Sequence, residues 1–327
     1  MKKTLSLTIS IFLLAISCQS PNNSSAVLST GIDTKYEQPI NDLIDFFNKN
    51  AYNTELSTYL SELDNSGKIL SDKVFNVALS RLIYGLSYAS QLNNLNLEKA
   101  ENAYRFQLAN LTSKDSIGSY FNSFYDIENL VSDSSYILDV WQQAYGLCGM
   151  VELYRNKPND NLLSSIHLFH NSFTDRFHDT VNRGFHSNYN QHSGQVSGSK
   201  TLQSLLYPIT SYMENLWLCD TTNRPKYELY LKENLEIAYQ KAWNEKLGWV
   251  NIKFDDFWNN CEHESVEKPC FTVTPGHNFQ LASMFLRTKN WPFLSEIEKE
   301  KYKNLGIEIL EITLKKAFFI GCLCCGK

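Results

Sequence analysis

"FHDTVNRGFHS", residues 177–187, is the stretch on which the fold turns. A helical apolar pattern ends at Phe177, a glycine stands at 184, and an aromatic residue follows it. Glycine accepts the positive φ that a tight turn imposes, and the flanking aromatic residues suit a short hairpin. Two other connectors repeat the arrangement: "LTSKDSIGSYF" at 111–121, with Gly118, and "WNEKLGWVNI" at 243–252, with Gly248. The three glycines are 66 and 64 residues apart. A period near 65 therefore reads as outer helix, glycine hairpin, inner helix.

The segments between the hairpins divide into two kinds. After a first helix around 38–63, stretches 72–92, 134–156, 199–218 and 277–288 are apolar almost all round. Stretches 97–111, 161–176, 226–244 and 295–318 carry one apolar stripe; in 161–176 it is Leu162, Ile166, Phe169 and Phe173. A helix apolar on every side must be enclosed, and one with a single stripe lies outside. Stacked pairs of this kind predict an all-α fold, an α/α toroid of the (α/α)6-barrel type, with short β-hairpins between pairs. A bundle or solenoid would pattern similarly; the enclosed helices favour the toroid. Pro208 should kink the third enclosed helix.

The N-terminus reads as an address. Lys2 and Lys3 precede an apolar run from Leu5 to Ile16, too short to span a bilayer. "LAISC" is similar to a bacterial lipobox, so 1–18 is expected to be a lipoprotein signal peptide, with Cys18 lipidated. Residues 19–37 are polar and read as a flexible tether, 38–316 as the toroid, and 317–327 as a Cys-rich tail. The expected location is the bacterial cell envelope, exported and lipid-anchored, at the outer membrane. Membrane contact would be through that lipid only.

Loss of Lys2 and Lys3 moves the formal charge from −5 to −7, and no basic stripe appears, which argues against nucleic acid as a partner. Aromatic residues make up 13%, with 18 Tyr and 6 Trp, as suits either sugar-stacking clefts or cores. Of eight cysteines, Cys261 and Cys270 flank a short loop and form the favoured pair, while Cys148 and Cys219 read as buried thiols. No His/Cys spacing suits zinc, and no metal is expected.

The order of "SRLIYGLSYA", "WQQAYGLCGMVELYR", "DRFHDTVNRGFHS", "KTLQSLLYPITSYMENLW" and "TPGHNFQLASMFLR" resembles the N-acylglucosamine 2-epimerase family, which includes cellobiose 2-epimerases and mannose isomerases. The likeness runs from about residue 40 to 316 and implies an (α/α)6 barrel acting on an open-chain aldose or N-acylhexosamine. A base would take the C2 proton to give an enediolate, with no cofactor. Histidine suits that task because its pKa lies near neutrality, and arginine can stabilise the oxyanion without losing its own proton. The resemblance puts His277 at the family's Gly-His position and Arg81 at its inner-helix arginine, with Tyr84 one turn on. Trp141, Gln203, Tyr207 and Gln280 are the implied substrate-binding residues. The implied partner is a mono- or disaccharide.

Departures accompany the matches. Where the family carries Asn-Thr-His-x-His-x-x-Glu, this chain has Gln203, Ser204, Leu205, Tyr207 and Thr210, and a glutamate after the Gly-His becomes Gln280. A catalytically impaired glycan-binding or scaffold lipoprotein is the alternative. The chain also supplies about four of six helix pairs and stops at "IGCLCCGK", which suggests a truncated gene product or a natural short tail. A toroid cut open predicts association into homo-oligomers, instability or a closing partner. His167 and His170 are expected to face solvent, His178 and His186 to bond hairpin backbone, and His192 and His263 to sit in polar loops.

Overall fold

The computed structural model describes residues 33–133, 135–197, 199–261 and 274–324. The signal segment with Cys18, most of the tether, His263 and Cys270 lie outside the described residues. Two compact units are present, Gly31–Tyr230 and a second from Leu231 to Lys327.

In the first unit, α1 (Thr34–Asn50) starts inside the stretch read as tether, because the Asp33 carboxylate accepts the Lys35 N–H and caps it. It stops at Asn50, well short of residue 63. Asn53 Oδ1 accepts the N–H groups of Glu55 and Leu56 at 3.0 Å, and Ser57 takes a φ of 51°. That turn closes a hairpin of β1 (Tyr52–Asn53) and β2 (Thr58–Tyr59).

The expected alternation of helices follows. A layer of three is formed by α2 (Asn76–Ala89), α4 (Val140–Asn156) and α6 (Ile209–Cys219), with α2 packed on α4 and α4 on α6. Against them lie α3 (Leu95–Asn110) on α2 and α5 (Asp160–Phe177) on α4. Every residue from Gln143 to Leu153 is buried, so α4 is enclosed as its composition requires. Each fully buried Leu, Val or Met there stabilises the fold by about 1.5–3 kcal/mol. The amide of Gln142 caps onto Asp139 at 2.9 Å, and that of Leu162 onto Asn159 at 2.8 Å, which fixes the starts of α4 and α5.

Inner helices begin later than expected because short strands precede them. Strand β3 (Lys73–Phe75) leads into α2. Strands β4 (Thr112–Lys114) and β5 (Ser119–Phe121) form the Gly118 hairpin, with Gly118 at φ 150°. Then β6 (Phe124–Asp126) pairs with β3 and with β7 (Val131–Ser132), while β8 (Ile137–Asp139) leads into α4 and pairs with β9 (Asn188–Asn190), itself paired with β10 (Gln195–Ser197). Past β11 (Lys200–Thr201) and one 3-10 turn, the Tyr207–Pro208 bond is cis and α6 begins at Ile209. Pro208 thus ends one segment and precedes the next, where a kink was expected.

Two glycines of α4 set how closely it meets its neighbours. A Cβ on Gly149 would fall 2.5 Å from the Ser80 carbonyl oxygen of α2, and one on Gly146 would fall 2.3 Å from the Phe121 ring. The Ser80 hydroxyl donates to Tyr145 O at 2.5 Å and accepts from Gly149 N at 3.0 Å, locking the α2–α4 register. A Cβ on Gly85 of α2 would meet nothing within 4 Å.

The hairpins are tied down by buried cations. Arg176 of α5 bonds Asp115, Ser172 and the Gly118 carbonyl, and stands over the Tyr120 and Tyr189 rings. Burial works to raise the Asp115 pKa, but Arg176 and the Gly118 and Ile117 amides outweigh it and hold the carboxyl low. In the next hairpin Gly184 has φ 69°, and the ammonium of fully buried Lys200 lies 2.7 Å from Asp179.

The histidines of α5 correct the expectation of solvent exposure. His170 is 1% exposed, and Tyr212, Tyr227 and Tyr230 surround its ring edge-on. His167 is half-buried, with Nε2 2.7 Å from Asp220 Oδ2. The polar side of an outer helix is covered here by its neighbours, which periodicity along one helix cannot register. His178 packs on Phe185 and Tyr230, His186 lies 3.5 Å from Asp179, and His192 stacks on Tyr136 at 4.7 Å. Cys148 is buried as expected, whereas Cys219 is half-buried.

The helix α7 (Arg224–Ile237) carries the chain across the unit boundary. In the second unit, β12 (Trp243–Asn244) and β13 (Trp249–Val250) form the third glycine hairpin, with Gly248 at φ 64°. Then α8 (Pro275–Arg287) packs on α9 (Glu296–Cys324), which runs beyond the expected end at 318. Fully buried Asn278 joins all three: it accepts from Val250 N and donates to Gly248 O and Thr313 Oγ1. No described helix is long and apolar enough to cross a membrane.

Candidate functional site

The layer α2–α4–α6 presents a face of aromatic and charged side chains. Residues 81, 84 and 88 of α2 follow helical spacing, as do 141, 145, 148, 152 and 155 of α4. Arg81 is exposed and Tyr84 half-buried. The Arg81 guanidinium stands 5.5 Å over the Tyr145 ring. Trp141 meets the same ring edge-to-face at 4.5 Å, and Tyr207 does so at 5.3 Å. Three residues expected at the site thus converge on a fourth that sequence reasoning missed. A signal for Tyr145 was present: "YGL" at 84–86 recurs at 145–147, close to the repeat period.

Tyr84 belongs to an adjoining polar network. It lies beside the Asn215 side chain, whose Oδ1 accepts from Arg155 at 3.1 Å. Arg155 also pairs with Glu152 at 2.7 Å, and Asn215 reaches Glu152 at 3.3 Å. Glu152 is 2% exposed, yet both its oxygens are bonded, the second by Asn156 at 3.1 Å. Helices α2, α4 and α6 are therefore cross-linked through polar side chains as well as packed.

The acid–base character of this face follows from burial. Burial pushes the Tyr145 hydroxyl up to about 12 and raises those of Tyr84 and Tyr207 further. It raises the Cys148 thiol as well. These groups stay protonated near neutrality, so the tyrosines present neutral aromatic surface and no added charge. The positions that the resemblance gives to His and Glu are occupied otherwise. Leu205 is fully buried, and the Thr210 hydroxyl donates to the Leu205 carbonyl at 2.6 Å. Gln203 lies half-buried in the 3-10 turn.

His277 and Gln280 belong to the second unit, on the first turn of α8 and one turn on. Pro275 starts that helix, and the His277 N–H donates to Thr274 O at 2.9 Å. The imidazole is half-buried, and burial lowers its pKa, so it is neutral and able to accept a proton at neutral pH. Among the described residues no group of three or more His, Cys, Asp or Glu is placed to hold a metal ion.

No family model and no curated protein matches the sequence. Solved structures do match. A D-mannose isomerase aligns with a TM-score of 0.73 at 12% identity, over 87% of this chain and 70% of that one. A cellobiose 2-epimerase from Bacillus thermoamylovorans aligns at 0.70 and 15% identity, over 87% and 73%. A GH76 α-mannanase from Bacteroides thetaiotaomicron aligns at 0.59 and 16% identity, over 90% and 71%. The fold is thus the α/α barrel of sugar epimerases and isomerases. A mannanase shares it, so the fold alone does not choose the reaction.

Proposed function

We propose that this chain is a sugar epimerase/isomerase-like protein that takes a mono- or disaccharide on the α2–α4–α6 face. The observation that carries the reading is the convergence of Arg81, Trp141 and Tyr207 on one buried ring. An exposed guanidinium beside aromatic surface and protonated tyrosines suits a polyhydroxylated ligand, binding its oxygens and stacking on its C–H faces. The reaction is proton transfer at C2 through an enediolate. The sequence resemblance assigns oxyanion stabilisation to Arg81 and the base to His277, which is neutral at neutral pH.

The test is exchange of deuterium into C2 of mannose, N-acetylmannosamine or cellobiose in deuterated water. Label should appear with the wild type and fall about 10²–10⁴-fold in His277→Ala. A folded protein that neither exchanges nor binds any of the three overturns the reading. Binding that survives His277→Ala with no exchange in the wild type supports a second one, a glycan-binding lipoprotein without turnover. Apolar Leu205 and the internally bonded Thr210 favour that outcome, since neither can move a proton.

Lipid attachment at Cys18, at the bacterial envelope, completes the proposal. Labelled palmitate should enter the wild type and not Cys18→Ala; equal labelling of both would refute the anchor.

A further inference from the structure

We infer that Tyr145 is a positioning residue of the inner-helix face: its ring directs Arg81, Trp141 and Tyr207, and its hydroxyl takes no part. The ring is 5% exposed and sits where α4 meets both neighbouring inner helices. Arg81 reaches it from α2, Tyr207 from the turn before α6, and Trp141 from one turn earlier on α4. An aromatic ring is negative on its faces and positive at its edge, so it attracts a guanidinium on a face and other rings in T-shaped contact. All three contacts are of these kinds.

Backbone geometry fixes the arrangement further. The Ser80 hydroxyl donates to the Tyr145 carbonyl, so the residue next to Arg81 is bonded to the residue under it. Gly149 admits that close approach. A long arginine side chain on an exposed surface would otherwise lose several rotamers on binding, and a ring beneath the guanidinium removes much of that loss in advance. Among the described residues the Tyr145 hydroxyl makes no hydrogen bond, so a phenyl ring should serve equally well.

The purpose of this arrangement rests on the saccharide reading; the arrangement itself is testable without a ligand. The protein would be prepared as Tyr145→Phe and Tyr145→Leu. The first readout is the Arg81 guanidinium N–H resonance in unliganded protein, assigned with Arg81→Lys, because the ring current of Tyr145 displaces it. The second is half-saturation by cellobiose. Tyr145→Phe should keep both values. Tyr145→Leu should move the resonance toward that of a free guanidinium and weaken half-saturation about tenfold, with cooperative unfolding retained. If the Leu variant does not fold, Tyr145→Met takes its place. An Arg81 resonance unmoved by loss of the ring, or a Phe variant that behaves like Leu, overturns the assignment. If the wild type binds no saccharide while the resonance still follows the ring, the saccharide reading fails and the role of Tyr145 stands.

Discussion

His170→Phe should flatten the stability of this protein between pH 6.5 and pH 4.5. Burial lowers the His170 pKa from 6.5 to about 3, helped by Lys226 and His167 and opposed by Asp220. An unfolded chain takes up the proton near pH 6.5, and the folded one does so only near pH 3. Over that interval the unfolded state binds more protons, so stability falls as pH falls. The shift corresponds to about 5 kcal/mol lost by pH 3, a large share of what a domain commonly has. In the folded state Nδ1 lies 3.2 Å from the Tyr212 hydroxyl, within three tyrosine rings that leave no room for solvent around a charge. Phenylalanine removes that bond and should cost about 1–3 kcal/mol at pH 8. It should also remove most of the decline on acidification. Urea unfolding of both proteins at pH 8, 6 and 4.5 decides the matter. An unchanged decline in the variant would show that His170 does not govern it.

The second large effect is expected at Lys200. Its ammonium is fully buried, 2.7 Å from Asp179 Oδ2 and 2.6 Å from the Arg183 carbonyl. Asp179 in turn accepts the amides of Val181 at 2.9 Å and Asn182 at 2.8 Å, shaping the Gly184 hairpin. Burial works to raise the Asp179 carboxyl, but Lys200 and those amides outweigh it and hold it well below 3.8. Lys200→Met leaves that carboxylate with the Val181 and Asn182 amides and with His186 at 3.5 Å but without its ammonium, and should cost about 3–5 kcal/mol. Because the native carboxyl is depressed, its contribution is present above pH 3.8 and lost as pH falls below it. In the variant the carboxyl is no longer held so low, so this acid loss should shrink and the gap between the two proteins should narrow as pH falls below 3.8. Thermal unfolding at pH 7 and at about pH 2.5 measures both effects; a variant as stable as the wild type at pH 7 would show that the pair contributes nothing net.

The fold was legible where one residue type has one physical task. Gly118, Gly184 and Gly248 all adopt positive φ, and their spacing located the hairpins correctly. The length and composition of α4 announced its enclosure. Boundaries were less legible because β3 and β8 are held by distant partners, β6 and β9, and no local pattern encodes a pairing 50 residues away. The first helix was overrun because the turn at Asn53 depends on a side chain replacing helical bonds. The burial of His170 depends on Tyr212, Tyr227 and Tyr230, residues 42 to 60 positions further on. At the candidate site, Arg81, Trp141 and Tyr207 were legible one by one. Tyr145, to which all three are fastened, was missed because a tyrosine inside an apolar helix looks like core, and it is core as well as support.

The bare surface at Gly85 has a bearing on how such a protein could diversify. Codon 85 can acquire bulk without disturbing the packed interior, and any side chain placed there projects beside Tyr84 and within a helical turn of Arg81. If the proposed saccharide site lies there, its preference can drift by single-step changes at a position nearly neutral for folding, while the matching step at Gly146 is barred by the phenyl ring of Phe121.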